Sequence, residues 1–125
     1  MRVERLDHVH IHVRDLDKTV SFFSGALGMK FSPQAPFEPF NARWAASPVG
    51  IILTSPVGPG PVAKTLDRQG EGLVNIALKV SDVEEAKAHL AQRGVHPVEA
   101  FSYKGISEAH YHPRDTFGVR VELLQ

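Results

Sequence analysis

Apolar and polar positions alternate at the start of the chain. From Arg5 to Val13, Val9, Ile11 and Val13 fall on one face and His8, His10 and His12 on the other, the period of a half-buried strand. Asp15 stands where a helix N-cap is expected. Leu16, Val20, Phe23 and Leu27 then recur at helical spacing until Gly28 supplies a stop. Residues 29–56 read as short strands broken by Pro33, Pro36, Pro39 and Pro48, with Ile51-Ile52-Leu53-Thr54 the clearest of them. The Gly- and Pro-rich segment 57–71 reads as a linker with one or two helical turns around Val62–Arg68.

The pattern then restarts. Leu73 to Val80 alternates again, Ser81-Asp82-Val83-Glu84 has capping-box spacing, and the helix that follows is expected to end near Gly94. Setting Val80-Ser81-Asp82-Val83 against Val13-Arg14-Asp15-Leu16 aligns both strands and both helices. Strands are expected at 97–101, 106–111 and 118–124, with a turn over His112–Gly118 joining the last two. Each half therefore reads as strand, helix and three strands: repeat 1 over about 5–56 and repeat 2 over about 72–125. Neither half can bury a sheet face alone. The expected fold is a single α+β domain, two βαβββ modules forming a curved mixed sheet with a concave pocket and helices on its outer face.

Composition narrows the partners. Fourteen Lys and Arg balance fourteen Asp and Glu, so no net field favours nucleic acid or an anionic membrane, and a small molecule or a protein is the expected partner. The start of the sequence has no apolar signal-like run and no stretch has the length of a membrane span, which places the protein in the cytoplasm as an expectation. Zero cysteines exclude disulfides, thiolate nucleophiles and Cys-ligated metal. No Gly-x-Ser-x-Gly or phosphate-cradling loop occurs, which argues against a serine hydrolase or a P-loop enzyme.

Leu6-Asp7-His8-Val9, Val13-Arg14-Asp15-Leu16 and the closing Gly118-Val119-Arg120-Val121-Glu122-Leu123 together resemble the vicinal-oxygen-chelate superfamily over nearly the whole chain. That superfamily includes glyoxalase I, methylmalonyl-CoA epimerase, extradiol dioxygenases and antibiotic-resistance proteins. The second half is most similar to methylmalonyl-CoA epimerase, through Gly72-Leu73, Lys79-Val80-Ser81-Asp82-Val83 and His112-Pro113-Arg114-Asp115.

The resemblance implies four inward-facing ligands for one divalent ion, two from each half, acting as a Lewis acid on an oxygenated substrate. His8 and Glu122 match two of them. The repeat partner of His8 is Asn75, which offers only a neutral carbonyl oxygen, and the partner of Glu122 falls near Ile52, which offers nothing. A rearranged set of His8, Glu122 and either His10 or His110 suits zinc, nickel, cobalt, manganese or iron. The other reading has no metal, with the histidines lining a polar pocket. Glu122, Glu108 and His10 are the candidate acid–base groups, and His10, His12, Asn75, His110, Arg120 and Trp44 the candidate substrate contacts.

Three functions remain open on these residues. One is a glyoxalase-like or epimerase-like lyase or isomerase working through an enolate, possessing or lacking a divalent metal. The second is a metal-free protein that sequesters an antibiotic or similar small molecule. The third is a metal-free isomerase or cyclase using His and Glu as acid–base groups. Relatives of this superfamily commonly pair chains or exchange halves, so a homodimer is expected, with the segment Pro56 to Pro61 as the hinge.

Overall fold

The computed structural model describes all 125 residues. In chain order it contains β1 (Val3–His12), α1 (Leu16–Leu27), β2 (Ala35–Phe37), β3 (Ala42–Ser47), β4 (Ile51–Pro56), α2 (Pro61–Gln69), β5 (Gly72–Val80), α3 (Val83–Ala91), β6 (Glu99–Tyr103), β7 (Ile106–Tyr111) and β8 (Arg120–Leu124). Strand, helix and three strands thus occur twice, and the strands make an eight-stranded mixed sheet with helices packed against it. No helix is long and apolar enough to cross a membrane. The chain divides into two compact units: Val9–Val74, and Met1–His8 together with Asn75–Gln125. Strand β1 contributes to both, its first half to one and its second half to the other.

In the unit Val9–Val74 the strand order is β2-β3-β4-β1. Strand β1 runs parallel to β4, with Val9 opposite Ile51 and Ile11 opposite Leu53, while β3 is antiparallel to β4. Helix α1 begins where the Asp15 carboxylate accepts the Lys18 amide, and ends where Gly28 takes the left-handed conformation, φ 66°. Its Leu16, Val20 and Phe23 pack on Val13, Ala45 and Leu53, the residues that alternation turns toward it. A separate small core forms where α2 sets Val62 and Leu66 against Ala42 and Phe40. The stretch before α2 is tied down as well: Asn41 Nδ2 donates to the Pro59 carbonyl at 2.9 Å, and the Val57 amide donates to the Asn41 carbonyl at 2.9 Å.

In the other unit β5 runs parallel to β8, β8 is antiparallel to β7 and β7 to β6. One face carries Val80, Ala109, Tyr111 and Leu123 against Val83 and Ala86 of α3, with Leu78, Leu90, Val95 and Val121 around them. Four sequence expectations need correction here, the first being β6, expected at 97–101 and found at Glu99–Tyr103, past Pro97, which has no amide hydrogen to pair. The α3 cap is Asp82, whose side chain accepts the Glu85 amide, because Ser81 lies one residue too early for its oxygen to face that amide. The helix stops at Ala91, ahead of Gly94, as the chain tightens into a turn over Arg93 and Gly94. Strand β8 starts at Arg120, since Phe117 and Gly118 both have positive φ, and Val119 is exposed in that turn instead of packing beneath a helix.

Glycine context yields a paired expectation. A Cβ at Gly60 would stand 2.7 Å from the Phe40 carbonyl oxygen, which is backbone and cannot swing aside, whereas a Cβ at Gly25 on the exposed side of α1 meets nothing within 4 Å. Gly60→Ala should lower the thermal midpoint, and Gly25→Ala should raise stability by about 1 kcal/mol through helix propensity. Equal shifts of one sign in a thermal melt would refute the close approach at Gly60. A second expectation concerns Tyr111, whose ring is core but whose hydroxyl is buried with no hydrogen-bond partner, and whose pKa burial and then the Glu84 carboxylate push up. Tyr111→Phe removes that hydroxyl and should stabilise the fold by about 1 kcal/mol in urea denaturation at neutral pH.

Candidate functional site

Strand alternation that sends Val80, Ala109, Tyr111 and Leu123 toward α3 sends their neighbours the other way. Glu122 sits opposite Ala77 on β5 and opposite His110 on β7, and Asn75 lies two residues before Ala77. Ala77 carries only a methyl group there, so nothing bulky stands between these polar side chains. All are removed from water: Glu122 is 3% exposed, Asn75 4% and His110 4%. Glu108 follows on the same face of β7, two residues before His110.

Their contacts centre on the Glu122 carboxylate. Asn75 Nδ2 donates to Glu122 Oε2 at 2.9 Å. His110 Nε2 lies 3.9 Å from that same oxygen and 3.0 Å from Glu108 Oε2. His8 approaches from β1, its Nε2 3.8 Å from Glu122 Oε1. The other ring nitrogen of His8 bonds Asp7 Oδ2 at 2.8 Å, and Arg5 bonds the second Asp7 oxygen at 2.8 Å. The hydrogen bond from His8, aided by Arg5, holds the Asp7 carboxyl below its ordinary range against the opposing effect of burial. The bond from Nδ1 to Asp7 fixes the ring of His8 with Nε2 on the Glu122 side. The ring of His110 lies beside Phe101, with centroids 5.7 Å apart.

Of the residues singled out in the sequence, His8, Asn75, Glu108, His110 and Glu122 are thus gathered in one unit. Arg120 shares their face of β8 and pairs in register with Asn75, but its guanidinium faces Glu99 at 3.8 Å. Within the unit Val9–Val74, His10 pairs with Ile52, and Thr54 lies between His12 on one side and Trp44 on the other. His112 caps a short 3-10 turn by accepting the Arg114 amide. Two elements escaped the sequence reading: Asp7 as the residue that orients His8, and the bonding of Glu108 to His110. The spacing of Glu108 and His110 by two on a strand was the available signal.

The two modules can be compared strand by strand. Ile52 pairs with His10 and Ala46 as Glu122 pairs with Ala77 and His110, so Ile52, Ala46 and Trp44 hold in the first module the places of Glu122, His110 and Glu108 in the second. On the same basis His8 corresponds to Asn75. The four metal positions that the resemblance implies therefore carry two strong donors, one amide already bonded to Glu122 and one aliphatic side chain. That set does not fit a resident divalent ion.

Known proteins agree with the architecture. The methylmalonyl-CoA epimerase of Mycobacterium tuberculosis is 31% identical with a TM-score of 0.88, over 98% of this chain and 87% of that one. That of Streptomyces coelicolor, solved as a variant with 2-nitronate-propionyl-CoA, is 29% identical with a TM-score of 0.88, over 98% and 97%. An uncharacterised protein of Bacillus subtilis, YqjC, is 29% identical over 98% of this chain and 93% of its own length. The profile of the Glyoxalase/Bleomycin resistance protein/Dioxygenase superfamily matches residues 5–123, and the chain belongs to that superfamily.

Proposed function

We propose that this chain is an epimerase-like isomerase that moves a proton on and off the carbon next to the carbonyl of a small acyl thioester, with Glu122 as the base. The observation that carries this reading is the buried Glu122 carboxylate, anchored through Oε2 by Asn75 and facing His8 through Oε1. A carboxylate held in one orientation with imidazoles beside it has the geometry of a general base. The acyl thioester is suggested by the similarity to epimerases, one of them solved with 2-nitronate-propionyl-CoA.

In this scheme Glu122 takes the proton from the substrate carbon and the electron pair passes to the thioester oxygen, giving a planar enolate. Returning a proton to the opposite face inverts the centre. Water on that opposite face supplies the returning proton, and the proton taken by Glu122 passes to solvent. Asp7 fixes the ring of His8 and so holds its Nε2 toward the base. No step requires an ion at the four family positions, where Ile52 and Asn75 provide too few donors.

Racemic methylmalonyl-CoA incubated with the protein in deuterium oxide should gain deuterium at its α carbon, read by mass spectrometry. Glu122→Gln, which keeps the shape and hydrogen-bonding capacity of the side chain, should slow that exchange by about 10²–10⁴-fold. Exchange no faster than the protein-free rate would refute the proposed substrate class. Exchange undiminished in Glu122→Gln would refute the base.

A further inference from the structure

We propose that Glu108, His110 and Glu122 form a cation site on β7 and β8 that keeps Glu122 from the family positions but draws its other two ligands from β7, and that it takes one divalent first-row transition ion. The donor atoms of these three residues all lie within 4.8 Å of one another. His110 Nε2 is 3.0 Å from Glu108 Oε2 and 3.9 Å from Glu122 Oε2. Ligands bound at roughly 2.0–2.2 Å to a tetrahedral or octahedral ion stand about 3.0–3.5 Å apart. A closure of about 1–2 Å by side-chain rotation would bring the three donors into that range, with no change in strand register.

Electrostatics favours a cation at this place. Glu122 and His110 are both more than nine-tenths buried and the Glu108 side chain is 15% exposed, so two carboxylates are held close together away from bulk water. Carboxylates so placed are paired with positive charge or bound to metal, since solvent does not screen their repulsion. The nearest guanidinium on these strands, Arg120, faces Glu99. Asn75 donates to Glu122 Oε2 and Phe101 flanks the His110 ring, which holds two of the three donors in place.

Donor type selects the ion. One imidazole nitrogen with two carboxylates suits Mn²⁺, Co²⁺ or Zn²⁺ better than Mg²⁺ or Ca²⁺, which take oxygen almost exclusively. Ligation through the Oε2 side of Glu122 leaves Oε1, on the His8 side, for the proton chemistry proposed above. The ion site and the reaction are nevertheless separate claims, because occupancy is read without substrate.

Tag-free protein stripped with a chelator would be titrated with Mn²⁺, free ion being followed by electron paramagnetic resonance, and with Co²⁺, followed by its visible absorption. One ion per chain is expected. Binding should weaken by roughly 100-fold in His110→Ala and in Glu108→Gln and be unchanged in His112→Ala, which alters a turn residue outside the cluster. Circular dichroism establishes that each variant is folded. Should His110→Ala fail to fold, Glu108→Gln, nearly isosteric, carries the test. Absence of saturable binding up to millimolar ion would overturn the proposal. So would binding lost in His8→Ala yet retained in both His110→Ala and Glu108→Gln. Metal bound without deuterium exchange would leave this site standing and overturn the epimerase reading, and exchange without metal would do the reverse.

Discussion

A carboxylate held away from water must be met by hydrogen-bond donors, by cations or by a proton, and the strands around Glu122 bring such groups to it. Asn75 donates to one oxygen, His110 stands beside that oxygen, and His8 stands beside the other. Each of these partners comes from a different strand. Their convergence depends on the register that sets Glu122 opposite both Ala77 and His110. A slip of one residue in β8 would turn Glu122 into the cluster of Val80 and Tyr111 and set Leu123 among Asn75 and His110 in its place. The apolar packing beneath α3 therefore enforces the polar site on the opposite face.

The same scaffold is used unequally in its two copies. Where the second module has Glu122, His110 and Glu108, the first has Ile52, Ala46 and Trp44, and where the first has His8, the second has Asn75. The helix-facing positions, by contrast, remain apolar in both, with Val13, Ala45 and Leu53 in one and Val80, Ala109 and Leu123 in the other. Core positions are constrained by packing, and a buried charge introduced there would lack partners. Positions on the other face are free to change chemistry without loss of the fold, which is how one architecture hosts epimerases and resistance proteins alike. In this chain the donors have gathered in the second module, together with His8.

Much of the architecture was legible in the order of residues because it is carried by short-range signals. The alternation of Val9, Ile11 and Val13 with His8, His10 and His12, the cap at Asp15 and the stop at Gly28 all depend on neighbours within one turn or one pleat. So did the recurrence of strand, helix and three strands. Where two adjacent residues could serve the same local role, the sequence was a poorer guide: Ser81 and Asp82 are both capable caps, and only the backbone path into α3 selects Asp82. Val119 has the right type and parity for the core, but the positive φ of Phe117 and Gly118 delays the start of β8 and leaves it exposed.

The sequence by itself determined the element order, the two-module repeat, the apolar faces of β1 and β5, the superfamily, and the presence of Ile52 and Asn75 where stronger ligands would be expected. Tertiary structure alone decided which polar residues meet: that Asn75 holds Glu122 across 47 positions, that Glu108 bonds His110 beside it, that Asp7 orients His8, and that Arg120 turns to Glu99. The physical reason is range. Periodicity and capping are properties of consecutive residues, whereas a buried hydrogen bond between strands depends on pairing partners, on register and on side-chain rotamers that the packed sheet imposes.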